Sequence, residues 1–221
     1  MWPRYCLEDV AWLGYDAHDY VAYPVVCFCD IPLSRITDHV GFYGEFGIGL
    51  TRQWAEANRL NPILYVAGEN NVSSSFRELN EHSHKHTKAD QKEAAKVTMR
   101  YLLAHSKPAQ GKMVVDGKPV EKLFYQESEW RYVPKNKNVK AYLLKSEFEN
   151  IDTLTSANEK TREHCVIKFG PRDIRYVFVK SDADIPDIVN FIQVELDQYP
   201  GVDQKILMSR VVSLESLSAD L

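Results

Sequence analysis

The segment Phe124-Tyr125-Gln126-Glu127-Ser128-Glu129-Trp130-Arg131-Tyr132-Val133-Pro134 sets two carboxylates and a guanidinium at alternate positions. If it is extended, Glu127, Glu129 and Arg131 share one face, and Ser128, Trp130 and Tyr132 share the other. The charged groups then span about 13 Å of strand. The aromatic face is expected to bury against a core and leave the charged face open. Two close carboxylates push one pKa upward, and an adjacent arginine opposes that shift. Such a set of mutually perturbed charges can mark a functional site. It can equally be a solvated strand face closed by a salt bridge. Both readings stay open on spacing alone.

A second polar cluster lies in VVCFCDIPLSRITDHVGFYGEFGIGLTRQWAEANRLNPILYV, Val25 to Val66. Val25-Val26-Cys27-Phe28-Cys29 reads as a buried strand. Asp30 is expected to cap a helix, with Pro32 near its first turn. Ser34, Arg35, Asp38 and His39 then occupy its opening turns beside the strand end, a geometry suited to a ligand. Gly41, Gly44, Gly47 and Gly49 follow, as required where backbone turns sharply or lies against another group. Cys27 and Cys29 point to one face. With Cys6 and Cys165 they are expected to be buried, reduced thiols, since no CxxC pair or second cluster completes a zinc site. His82, His84 and His86 would share a face on a strand but fan apart on a helix. Their surroundings read as helix or loop, so no metal site is expected. The Lys135–Lys140 stretch reads as a solvated loop, with RNA or an acidic partner face as the alternative.

These residues need elements to hold them. Thr51 looks like the cap of a helix over 52–58, followed by a strand over 62–66. Residues 73–106 read as a helical insertion of two helices broken near 85–90, with Phe76, Leu79, Val97, Tyr101 and Leu102 at helical spacing. A hairpin turn is expected at Val114-Val115-Asp116-Gly117. Strands are expected over 120–125, 129–133, 165–169, 174–179 and 205–214. Asp184 should cap a helix whose inner stripe is Ile185, Ile188, Val189, Ile192 and Leu196. The pattern is α+β: one domain over 1–221, with a mixed, twisted and split sheet flanked by helices. The 221 residues are 44% hydrophobic and 26% charged, with net charge −4. That balance argues against a general nucleic-acid binder. No apolar run reaches the length of a membrane span and no leader pattern opens the chain, so a cytoplasmic protein is expected.

YPVVCFCDIPLSRITDHVGFYGEFGIGLTRQWAEANRLNPILYV resembles the AbiGi-type abortive phage-resistance proteins of bacteria, as do MWPRYCLEDVAWLG and FYQESEWRYVP, with a looser likeness in KFGPRDIRYVFVKSDADI. The resemblance implies a phage-defence antitoxin whose partner is a nucleotidyltransferase-like toxin. The order of a strand, a Ser-bearing segment and a late Glu-x-Glu also resembles ADP-ribosyltransferases. That likeness implies NAD as cofactor in a cleft between two small sheets. On it, Glu129 is the catalytic glutamate and Glu127 directs the acceptor. Asp30, Ser34, Arg35, His39 and Arg131 would then line the nucleotide cleft. Nothing ahead of Trp2 supplies the His-x-Thr-like nucleotide contact, so this resemblance expects a further strand upstream. Three functions follow from these readings: a toxin-binding antitoxin, an NAD-dependent ADP-ribosyltransferase, and a nucleic-acid-binding regulator of its own operon.

Overall fold

The computed structural model of the chain describes residues 1–13, 19–115 and 118–219. Along the chain come β1 (Arg4–Asp9), β2 (Tyr20–Cys29), α1 (Ile36–Tyr43), β3 (Gly47–Leu50), α2 (Arg52–Ala57), β4 (Asn61–Pro62) and β5 (Leu64–Val66). Next are α3 (Asn71–His84), α4 (Ala89–Leu103), β6 (Ser106–Pro108), β7 (Gly111–Val115), β8 (Lys118–Lys122) and β9 (Glu129–Tyr132). The remainder is β10 (Leu143–Leu144), α5 (Lys145–Glu149), α6 (Ile151–His164), β11 (Ile174–Val179), α7 (Ile185–Glu195), α8 (Gly201–Met208), β12 (Val211–Ser213) and α9 (Leu214–Ala219). The mixed α+β class expected from the sequence is what forms, as several small sheets with helices. Contacts gather into two compact units, Met1–Asp30 with Leu60–Ile167 and Ile31–Arg59 with Lys168–Leu221.

The first unit is built on the sheet β1-β2-β9-β4, with β10 also paired to β2. β2 carries Pro24, which has no N–H for a ladder. β10 pairs with residues 21–22 of β2 and β9 with residues 26–29, so Pro24 falls between the two partners. The period of two sorts the side chains of β2. Val21, Tyr23 and Val25 bury against Phe76 of α3 and Met99 and Leu103 of α4. Ala22 buries on the other side with Tyr5, Leu143 and Ala157 of α6. Asn70 starts α3 by accepting from the Val72 and Ser73 N–H groups, while the Ser73 hydroxyl accepts from the Asn70 N–H. The expected break near 85–90 separates α3 from α4, although Leu79, Val97 and Leu102 stay exposed while Met99 and Leu103 turn inward. β7 and β8 pair as the expected antiparallel hairpin, and its turn residues 116–117 lie outside the described residues.

The second unit has the sheet β12-β11-β3, parallel between β11 and β12 and antiparallel between β11 and β3. α7 and α8 form the crossover from β11 to β12, and Ile174, Ile192 and Leu207 make its buried core, with Ile188 and Leu196 packed alongside. Thr51 caps α2 as expected, its hydroxyl accepting from the Trp54 N–H, and Arg59 at φ 60° ends the segment. Gly47 and Gly49 are needed for close approach, because a Cβ on either would overlap the ring of Phe178 or Tyr176.

Several local expectations are corrected. Residues 165–169 form no strand; the Ile167 N–H donates to the Met1 carbonyl, and the Trp54 indole donates to the Lys168 carbonyl. Most of 205–214 is helix α8 and a turn, leaving only Val211–Ser213 as strand. Asp30 caps no helix: a 3₁₀ turn over Leu33–Arg35 begins after Pro32, and α1 starts at Ile36 with no side-chain cap. The strand expected over 62–66 is split into β4 and β5, which belong to different sheets.

Candidate functional site

Cys29 stands opposite Glu129 and Cys27 opposite Arg131 in the β2–β9 ladder. Directly opposed residues share a face, so the apolar face of β2 continues past Val25 into a polar zone. Glu8 of β1, opposite Val21, lies on that same face. Here the expected sidedness of 124–134 is reversed. Glu127, Glu129 and Arg131 are buried at 3%, 3% and 0% exposure, whereas Trp130 and Tyr132 are only half-buried. The segment is not one strand either. Phe124–Glu127 is a 3₁₀ turn, Ser128 is left-handed at φ 45°, and extension begins at Glu129. That kink swings Glu127 toward two lysines rather than along the strand.

The charges are matched to one another. Arg131 donates from Nε to Glu129 Oε1 at 2.6 Å, from Nη2 to Glu8 Oε1 at 2.7 Å and from Nη1 to the Ala104 carbonyl at the end of α4 at 2.8 Å. Lys107 of β6 lies 3.2 Å from Glu129 Oε2 and 3.5 Å from Glu127 Oε2, with its ammonium 4.3 Å from the Phe124 ring centroid. Lys122 of β8 closes on Glu127 Oε1 at 2.6 Å. The Glu129 N–H donates to the Tyr65 hydroxyl at 2.9 Å, which fixes the start of β9 against β5. Three carboxylates thus meet three cations drawn from β1, β6, β8, β9 and the turn before β9. A set that loses water this completely requires such pairing, because an unpaired buried charge costs several kcal/mol.

The electrostatics follow. Burial pushes the Glu129 carboxyl up, but the Arg131 guanidinium, hydrogen-bonded to it, and the Lys107 charge pull it down to about 2. Burial pushes Lys107 down, and Glu8, Glu129 and Glu127 outweigh it, leaving its pKa raised. In the competition foreseen from spacing, the cations win over the paired carboxylates. Burial also raises the Cys29 thiol to about 12, with the charges of Glu127 and Glu129 adding to it. Cys27 is exposed to solvent, yet the protein crowding around it is the main cause that lifts its thiol well above the ordinary range, followed by the Glu129 charge. Cys6 is also exposed and Cys29 half-buried, so among the four thiols only Cys165 meets the expectation of burial.

The sequence-predicted site residues divide between the units. Glu127, Glu129 and Arg131 form the network in the first, and Asp30 reaches it through its N–H, which donates to the Ser128 carbonyl. Ser34, Arg35 and His39 belong to the second unit. There Arg35 lies in the 3₁₀ turn, and the His39 ring stacks on Tyr43 at 4.5 Å one helical turn later. The side chain of Ser34 lies outside the described residues. Sequence reading missed Glu8, Lys107, Lys122 and Tyr65. Lys122, between Val120 and Leu123, could have been flagged as an inward charge; Lys107 gave no signal in what read as a loop. Elsewhere, His82 and His86 face each other on the last turn of α3 and beyond, while His84 Nδ1 turns to the Asn80 carbonyl. No set of three metal-ligating side chains occurs among the described residues. In the basic stretch, Lys135 lies over the Tyr101 ring and Lys140 pairs with Glu147.

Chemically, the network holds a carboxylate ionised but engaged. Both Glu129 oxygens already accept from Arg131 or Lys107. A hydroxyl of an incoming ligand would share those oxygens with the guanidinium and ammonium groups, since a carboxylate offers about four acceptor positions.

Fold and network together define an α+β protein whose central charges are reserved for one another. The chain belongs to the AbiGi family: residues 1–180 match the family described as "Putative abortive phage resistance protein AbiGi, antitoxin". It is also 24% identical over 247 aligned positions to the abortive phage resistance protein AbiGi of Lactococcus lactis subsp. cremoris, covering 99% of this chain and 98% of that one. No solved structure matches the chain. No helix among the described residues is long and apolar enough to cross a membrane.

Proposed function

We propose that this protein is the antitoxin of an abortive-infection pair and acts by binding a cognate toxin of the nucleotidyltransferase-like kind, inside the bacterial cytoplasm. The observation that carries this reading is the closed network around Arg131. Glu127 and Glu129 are buried and bonded, so the most reactive-looking residues of the sequence serve to hold four strands and a helix end together. Family membership supports the phage-defence role. The test is growth. Each gene beside this one is expressed from an inducible promoter, with and without the chain. One product is expected to arrest growth, and the chain to relieve the arrest. Relief by Glu129→Gln equal to the wild type, at equal soluble level, is expected as well. Failure to relieve arrest by any neighbouring product would overturn the reading.

A second reading is NAD-dependent transfer at Glu129 on an ADP-ribosyltransferase-like fold, with Asp30, Glu127 and Arg131 of the first unit at the nucleotide. One observation favours it: the carboxylate is held ionised, as stabilisation of an oxocarbenium-like charge requires. Release of nicotinamide from NAD by the purified chain, abolished in Glu129→Gln, would establish it in place of the first.

A further inference from the structure

The charge of the chain is unevenly spread. Residues 181–221 carry eight acidic and two basic side chains, a net of −6, although the whole chain is only at −4. This segment lies beyond the span that matches the family. It also holds some of the most exposed apolar side chains of the protein. α7 is apolar on two sides. Ile188 and Ile192 pack inward on the sheet of the second unit, while Phe191 and Val194 stand 56% and 68% exposed. α8 repeats this, with Leu207 buried and Val202 and Ile206 exposed at 60% and 43%. Spacings of three and four place each exposed pair on one helix face, and the two helices pack together. Apolar side chains that extend past the packed face of a helix into an exposed patch mark a surface for a partner. Asp187 and Glu195 flank Phe191 along α7, are exposed, and carry no ion pair among the described residues.

We infer that the outward face of α7 and α8 is the docking surface for the cognate toxin, and that it seats in a toxin groove that is apolar at its centre and rimmed by lysine and arginine. The inference rests on the antitoxin reading. Charge selects the occupant. A second copy of the chain would set Asp187 and Glu195 against their own copies, and nucleic acid or an anionic lipid surface would meet the same carboxylates. A basic protein face is attracted, and the apolar pairs supply the short-range anchors that such interfaces use.

The experiment uses the full chain and the toxin identified by growth relief, titrated by calorimetry. Two variants change the face, Phe191→Asp with Val194→Asp, and Asp187→Lys with Glu195→Lys. Val72→Asp, at an exposed apolar position of α3, is the control. Circular dichroism and thermal melting verify that each is folded. Both helix variants are expected to bind about 10-fold or more weakly, and the control as the wild type. Wild-type affinity should also weaken as sodium chloride rises from about 50 to about 300 mM. Folded helix variants that bind within about twofold of wild type would overturn this surface and leave the antitoxin reading standing. A wild type that relieves arrest without binding the toxin would overturn both direct binding and this surface.

Discussion

Arg131 ties together its own strand, β1 and the end of α4, through Glu129, Glu8 and the Ala104 carbonyl. A lysine is a point charge on a flexible stem and cannot reproduce that fork. Arg131→Lys is therefore expected to cost about 3–5 kcal/mol in urea unfolding, the range for a broken buried pair; a cost near zero would mean that the fork is dispensable. Glu129 adds a pH signature. Its folded pKa of about 2 lies below the ordinary 4.5, so its contribution is whole above pH 4.5 and is lost as pH falls toward 2. Glu129→Gln should cost about 3 kcal/mol at neutral pH and progressively less across that window. A difference that stays constant with pH would contradict an ionised Glu129. The same charge also acts on Cys27, which is open to solvent and whose thiol pKa is raised first by the protein crowded around it and then by Glu129. Iodoacetamide should alkylate it more slowly than free cysteine at about pH 8, and Glu129→Gln should speed the reaction, read by mass spectrometry.

The glycines of the β3 region separate two causes that look identical in sequence. Gly47 and Gly49 lie under the rings of Phe178 and Tyr176, whereas a Cβ at Gly41 in α1 meets nothing within 4 Å. Gly47→Ala is expected to destabilise by about 1–3 kcal/mol, because a ring must be displaced. Gly41→Ala is expected to stabilise by about 0.5–1 kcal/mol through helix propensity. Thermal melts of the two variants should shift in opposite directions. The α+β class, the β2 strand, the capped α2 helix and the paired α3 and α4 helices were legible because each is written locally, in alternation, a cap or a break. The buried network was not. Alternation named Glu127, Glu129 and Arg131, but Glu8, Lys107 and Lys122 come from β1, β6 and β8, and spacing within one segment cannot show that they converge. Without those partners the charged face had to look solvated. α8 was hidden for a different reason. Ile206, Met208 and Val211 suggest a strand, but Gln204 donates to the Leu196 and Tyr199 carbonyls and Arg172 holds Asp203, which fixes a helix after Pro200.

At the scale of the molecule, the chain leaves its first unit after Asp30, returns at Leu60 and leaves again after Ile167. The second unit is therefore made of two stretches that depend on each other. Among the described residues β3 finds its strand partner only in β11, the Thr51 N–H donates to the Asp173 carbonyl, and the Trp54 indole donates to the Lys168 carbonyl. The first unit has its own sheet and an apolar cluster on each side of it. Ending the chain after Ile167 should consequently leave the first unit folded while residues 31–59 lose their strand pairing and the ring contact of Trp54 with Phe169. Limited proteolysis of that truncated form should cut first within 31–59, and the full chain should resist there. Ending it after Lys180 restores β11 but not Ile192 or Leu207, which bury Ile174. The same early cutting is expected there, because a two-stranded remnant without its helices cannot bury enough apolar surface to stay ordered. Protection of 31–59 in the form ending at Ile167 would show instead that this stretch draws its order from the first unit.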